Sequence, residues 1–173
     1  MSDARRASYL CTGDKKNTYV AFIAFVAIGA LGFLFAGLGI TTPVLGQGIA
    51  FVAFIVAAYI FIRYIATLYR YDIFAEADGD FLLIVRVQGK KDFTQKKLPL
   101  SDLLAIIAVK NGAGESVEKP DLSVTNFSSH LMADDYTLLH FGGEAPELLR
   151  INADEEFLAL LATYLPTKEN TND

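Results

Sequence analysis

Residues 19–62 contain no Asp, Glu, Lys or Arg. That single stretch limits the fold more than anything else in the chain. It reads YVAFIAFVAIGALGFLFAGLGI, then TTPVLGQG, then IAFVAFIVAAYIFI. A bilayer core about 30 Å thick takes roughly 20 apolar residues per helical crossing. The stretch is too long for one crossing and long enough for two joined by a tight turn. It predicts a transmembrane helical hairpin over residues 19–69, with helices at 19–40 and 46–68 and a loop at 41–48. Twelve residues between Val20 and Ile40 are Leu, Ile, Val or Phe. Each favours insertion by about 0.3–0.6 kcal/mol at the helix centre, which totals several kcal/mol before the glycines subtract some.

Small residues recur on one face of each helix. Gly29, Gly32, Ala36 and Gly39 are spaced 3, 4 and 3, and Ala50, Ala53 and Ala57 repeat the pattern. Matched small faces let two backbones approach closely, which holds helices together where lipid supplies no hydrophobic incentive. The expectation is a contact within the hairpin, with a homodimer as the alternative use of the same faces. The connection TTPVLGQG carries Pro43, Gly46 and Gly48, all turn formers, and no charge.

Charge distribution assigns sides. Residues 1–18 hold Arg5, Arg6, Lys15 and Lys16 against Asp3 and Asp14. Residues 63–97 hold seven basic and five acidic residues, while residues 98–173 hold four basic and thirteen acidic ones. Basic groups flank both outer ends of the hairpin and are absent from its loop. The positive-inside rule then puts both termini in the cytoplasm and makes the chain a multi-pass protein of the inner cell membrane. Arg63 sits where its stem can lie along lipid, and Tyr59, Tyr64, Tyr69 and Tyr71 are placed as an interfacial belt. An acidic distal half argues against nucleic-acid binding, which needs basic groups clustered on one face.

The first 18 residues are short and polar and read as a disordered cytoplasmic tail. A signal peptide is the poorer reading, because the apolar run is too long and a second span follows it. A lone cysteine, Cys11, excludes an intramolecular disulfide. It reads as a free thiol in that tail, with palmitoylation as the sharper alternative.

From Arg70 the apolar period changes to two. YRYDIFAEA and FLLIVRVQ flank the turn ADGD, and FTQKKLPL follows a second turn, GKKD. Four more alternating stretches follow: LLAIIAVK, LSVTNFSS, DYTLLHFG and ELLRINA. The polar loop at 111–121 reads as mobile. The last element, NADEEFLALLATYL, predicts an amphipathic helix with Asn152 as its cap and Phe157, Leu160, Leu161, Tyr164 and Leu165 as its apolar stripe. Residues 167–173 read as a disordered tail.

Seven short strands and a closing helix give an α+β membrane protein. Its C-terminal part, residues 70–166, is expected to be an open seven-stranded antiparallel barrel capped by the helix. That order resembles a pleckstrin-homology (PH)-like domain. The chain resembles the small bacterial membrane proteins that join a two-helix hairpin to a bacterial PH-like domain. The likeness rests on RYIATLYRYDI at 63–73, LPLSDL at 98–103 and RINADEEFLALL at 150–161. It implies a cytoplasmic PH-like fold and no common reaction. The first turn, 77–80, is acidic where phosphoinositide-binding PH domains use Lys and Arg, so that ligand does not carry over.

Residues for catalysis are sparse. HExxH, CxxC, a phosphate-binding loop and a nucleophile elbow are all missing. Gly112, Gly114 and Ser116 are loop residues without a following GK[ST]. His130 and His140 read as surface or strand residues, and Asp134–Asp135 and Asp154–Glu156 as turn and helix-cap groups. No cofactor and no metal site is expected, and the chain reads as a non-enzyme. One basic feature stands out. Two strands of about eight residues, at about 3.3 Å per residue, would return the GKKD turn to the headgroups. Lys90 and Lys91 would then join Arg63 and Arg70 on an anionic leaflet, each worth about 1 kcal/mol. The expected function is a membrane-anchored scaffold or protein-interaction module whose partner is a membrane or cytoplasmic protein. The alternative is an anionic-lipid-binding or lipid-sensing module.

Overall fold

The computed structural model describes residues 4–12, 15–110, 122–131, 135–143 and 145–166. The chain divides into two compact units. The helical unit comprises Gly13–Leu68 with Ser129–Met132, and the sheet unit Met1–Thr12, Tyr69–Ser128 and Ala133–Asp173.

In the helical unit, α1 (Lys16–Gly37) and α2 (Pro43–Ile60) are antiparallel neighbours, and α2 runs into a π turn (Phe61–Ile65). With that turn included, both helices are long and apolar enough to cross a membrane, at 22 and 23 residues. Helix α1 stops where Gly39 turns to φ +70°. The Gly39 N–H donates to Ala36 O at 3.3 Å and the Ile40 N–H to Phe35 O at 3.0 Å, which is a Schellman stop. Proline is favoured in the first turn of a helix because its missing N–H would have no partner there, so Pro43 starts α2. The connection is therefore at 38–42, earlier than the 41–48 expected, and Gly46 and Gly48 lie inside α2.

These boundaries reassign the small residues. Gly29 and Gly32 are buried, as are Gly46, Ala50, Ala53 and Ala57. A Cβ on Gly32 would lie 2.8 Å from Gly46 O, and one on Gly46 would lie 2.7 Å from both Gly32 O and Ala36 Cβ. Gly46 is thus the place of closest backbone approach. Gly39 does not belong to that face: it is exposed, and a Cβ there would meet nothing. Its positive φ makes it the helix stop instead. The large side chains, among them Val20, Ile23, Phe33, Phe51, Val52 and Ile55, are exposed.

Among the described residues eight strands form, all in the sheet unit but for the first two residues of β2: β1 (Ala4–Cys11), β2 (Thr67–Glu76), β3 (Gly79–Gln88), β4 (Lys91–Pro99), β5 (Leu103–Val109), β6 (Val124–Asn126), β7 (Tyr136–Phe141) and β8 (Glu147–Ile151). One four-stranded sheet runs β1-β2-β3-β4 and the other β5-β7-β8-β6, with β6 parallel to β8. Where an open barrel of seven antiparallel strands is expected, the described residues form two sheets, with no closed barrel among them, one parallel pair and one additional strand. That strand is β1. It pairs antiparallel with β2 from Ala4↔Ala75 to Cys11↔Tyr69, with a bulge between Arg5 and Ala7. Residues 4–11 are therefore not a disordered tail. Backbone groups along β2 would otherwise go unpaired, and β1 meets that demand.

Alternation sets the core. Tyr69, Tyr71 and Ile73 of β2 point one way, with Leu82 and Ile84 of β3, Leu103 of β5, Leu139 and Phe141 of β7, and Leu149 and Ile151 of β8. Helix α3 (Glu155–Ala162) adds Phe157 and Leu161. Cys11 lies in this core at 1% exposure, so it is neither a free tail thiol nor an accessible palmitoylation site. Asp154, not Asn152, caps α3: its Oδ1 accepts from the Phe157 N–H at 2.8 Å. Asn152 is occupied otherwise, its N–H reaching the Tyr71 hydroxyl at 3.4 Å and its Nδ2 reaching Asp135 O at 3.3 Å. Residues 111–121, Asp134 and the 167–173 tail lie outside the described residues, and with them Gly112, Gly114 and Ser116.

Candidate functional site

The outer face of the first sheet carries its charge. On β2, Arg70, Asp72, Phe74 and Glu76 alternate with the core residues. Asp72 has 0% exposure, although it lies on the face away from the core. It accepts from Ser8 Oγ at 2.5 Å and Arg70 Nε at 2.9 Å, with Arg5 3.7 Å away. A buried carboxylate must be paired in this way, because desolvating it alone would cost several kcal/mol. Arg70 also pairs with Asp92 of the GKKD turn at 2.8 Å. The hydrogen bond to Asp72 is the main cause that raises the Arg70 pKa above its ordinary value.

That pairing bears directly on the four expected headgroup contacts. Arg70 does lie beside the second turn, but its guanidinium is committed to two carboxylates. Lys90 and Lys91 are exposed and make no ion pair among the described residues. Gly89, at φ +62°, makes that turn. Phe93, 39% exposed, follows it under Arg86, whose guanidinium lies 5.3 Å from the ring centre. Arg63 belongs to the helical unit, in the π turn, with its guanidinium 5.0 Å from the Tyr64 ring centre.

A second region is visible only once β1 is in place. As an end strand, β1 turns every other N–H and C=O away from β2. Helix α3 and the turn after it run beside β1, and two contacts bracket the space between. At one, Arg6 pairs with Asp80 at 2.7 Å and donates to the Tyr164 hydroxyl at 3.3 Å, while that hydroxyl donates to Asp80 at 2.7 Å. At the other, the Tyr9 and Phe157 rings lie 5.9 Å apart. Between these contacts stand Ala7, too small to reach across, and Ser8, whose hydroxyl is turned to Asp72. A groove of about 580 Å³ results, bounded on the helix side by Asp154, Glu156, Phe157, Ala159, Leu160 and Thr163.

Three tyrosines of this unit are shifted. Burial raises Tyr71 well above its ordinary value, with Cys11 adding to it. Its hydroxyl donates to Phe127 O at 3.2 Å. Burial likewise raises Tyr9, and raises Tyr164 together with the hydrogen bond to Asp80. Tyr71 thus stands beside the buried Cys11 thiol, and Tyr164 beside the Asp80 carboxylate.

Residues weighed for catalysis are dispersed. His140 lies in β7, paired in register with Ala105 and Leu148. His130 lies in a non-helical segment of the helical unit. Among the described residues no three His, Cys, Asp or Glu side chains converge as metal ligands would. Asp135 contributes its backbone carbonyl to Asn152, and Asp154 is a helix cap. The sequence reading missed the groove because it missed β1. The available signal was the alternation of Ala7, Tyr9 and Cys11 against Ser8 and Leu10 in an otherwise polar segment. No protein-family model matches the chain, and neither a curated protein nor a solved structure is significantly similar to it.

Proposed function

We propose that this chain is a membrane-anchored, non-enzymatic interaction module. In this reading α1 and α2 span the inner membrane of a bacterial cell as a hairpin. Both termini and the sheet unit face the cytoplasm, and the sheet unit is a variant of the bacterial PH-like fold that receives another protein. The observation that carries it is the direct passage from span to domain. The π turn ends at Ile65 and β2 begins at Thr67, the strand that pairs with β1, which is the end strand among the described residues. A flexible tether would need a linker, and only Ala66 separates the two elements. Support for the fold comes from the strand order β2 to β8 followed by α3, and support for the topology from the charge flanks of the hairpin.

The second reading, an anionic-lipid sensor, is favoured by one observation: Lys90, Lys91 and the exposed Phe93 share one hairpin tip. Arg70 contributes less to it than expected, being paired twice within the sheet. Crosslinking in the native membrane followed by washing at high salt separates the two. Headgroup attraction is screened within a Debye length of about 8 Å at physiological salt, and shorter still in the wash. A protein that stays bound through the wash supports the module. Release of everything at high salt, with binding to anionic vesicles retained at low salt, would overturn it in favour of lipid.

A further inference from the structure

The groove beside β1 has features that select an occupant. Among the described residues no strand pairs with the outer edge of β1, whose outward backbone donors and acceptors another extended backbone can satisfy in sequence. The bulge between Arg5 and Ala7 breaks regular pairing, so the usable edge runs over residues 7–11. At about 3.3 Å per residue that is room for a strand of about five residues. Its floor is apolar, from Phe157 and Leu160. Its helix rim is acidic. Asp154 and Glu156 line the opening, Glu155 stands next to them, and neither Glu155 nor Glu156 has a cationic partner among the described residues.

We propose that this groove takes up an extended, cationic segment of another protein, which adds to β1 as a fifth strand of the first sheet. Alternate residues of the segment face Phe157 and Leu160, while its Lys or Arg residues meet Asp154 and Glu156. A second copy of this chain fits less well. An isologous pairing would set the same acidic rim on both sides of the contact. Moreover, the arginines that β1 itself carries are already paired with Asp72 and Asp80. This assignment rests on the interaction-module reading above and names the site and partner chemistry for it.

The test uses the full chain in nanodiscs and a blocked seven-residue peptide alternating lysine and valine. Controls replace every lysine by glutamate, or N-methylate either all valines or all lysines. The expected result is saturable binding, lost with the glutamate peptide and with one of the two N-methylated peptides. Glu156→Lys, which reverses the rim charge, and Ala159→Trp, which fills the groove, should each weaken binding about tenfold or more. Amide exchange over residues 7–11 should slow on binding. Absence of saturable binding, equal affinity for Glu156→Lys, or unchanged exchange of those amides would each overturn the proposal. Crosslinking of both variants in the native membrane keeps the two readings apart. Capture of the same protein by wild type and variants overturns the groove and leaves the module standing, whereas no capture by wild type overturns the module itself.

Discussion

The helical unit and the sheet unit are built inside out with respect to each other. In α2 the buried side chains are mainly Ala50, Ala53 and Ala57, while Phe51, Val52 and Ile55 are exposed. In the sheet unit Tyr71, Ile73, Leu82 and Phe141 are fully buried, while Arg70 with Asp72 and Lys97 with Glu76 form ion pairs away from that core. The difference is one of solvent. Water rewards burying large apolar side chains by about 1.5–3 kcal/mol each. A bilayer gives no such reward, so helix pairing there depends on close backbone approach. Each unit therefore has its own point of weakness, and substitutions should separate them.

The largest effect is expected at Asp72. Asp72→Ala would leave Arg70 with only Asp92 and open a buried polar site, at a cost of about 3–5 kcal/mol. Chemical denaturation followed by near-ultraviolet tyrosine signals should show the sheet unit melting early, with helical content retained. Simultaneous loss of both units would break the contrast drawn here. Next comes Gly46→Leu. With Gly32 O 2.7 Å from the position of a Cβ, the helices must separate, at about 3 kcal/mol. Gly48→Ala, where a Cβ meets nothing, is the matched control and should be neutral. Engineered disulfide formation between α1 and α2 in the membrane reads out both.

Alkaline pH should also divide the units. Tyr9, Tyr71 and Tyr164 all have raised pKa values in the fold. Their contribution is fully present below the unfolded value of about 10 and is lost as pH rises through the folded values. Sheet-unit stability should therefore fall above pH 10. Tyr71→Phe should flatten that fall, while costing about 1–2 kcal/mol at neutral pH because Phe127 O loses its donor. A flat stability curve to pH 11 would contradict the burial of these hydroxyls. Asp154→Ala, which removes the α3 cap, should cost about 1 kcal/mol by thermal unfolding. The smallest change in stability, under about 0.5 kcal/mol, is expected for Lys90→Gln with Lys91→Gln, both exposed. Spin-label depth measurements on anionic membranes show whether that pair matters for lipid: no change in domain distance removes the headgroup role.

Patterns that depend on near neighbours were legible in the sequence. The uncharged run gave two long helices, and alternation marked the stretches that form β2 to β8. Signals that depend on distant partners were not. Strand β1 pairs with residues more than fifty positions away, and its Arg5 and Arg6 give it the composition of a tail. Glycine and proline both suggest breakers, which displaces the expected loop to 41–48. Proline is favoured in the first turn of a helix, and Gly46 serves helix packing. Spacing places Gly39 on the packing face, but spacing cannot report its positive φ. Missing β1 concealed the groove as well, since one wall of it is that strand.

Membrane sidedness connects the two units and is open to one direct measurement. In a Cys11→Ser background, single cysteines replace Val44, exposed in the first turn of α2, and Lys91, exposed at the β3–β4 turn. Intact cells are treated with a membrane-impermeant maleimide before and after permeabilisation. The hairpin reading predicts labelling at position 44 in intact cells and at position 91 only after permeabilisation. Labelling at 91 in intact cells, or protection of 44 until permeabilisation, would contradict it.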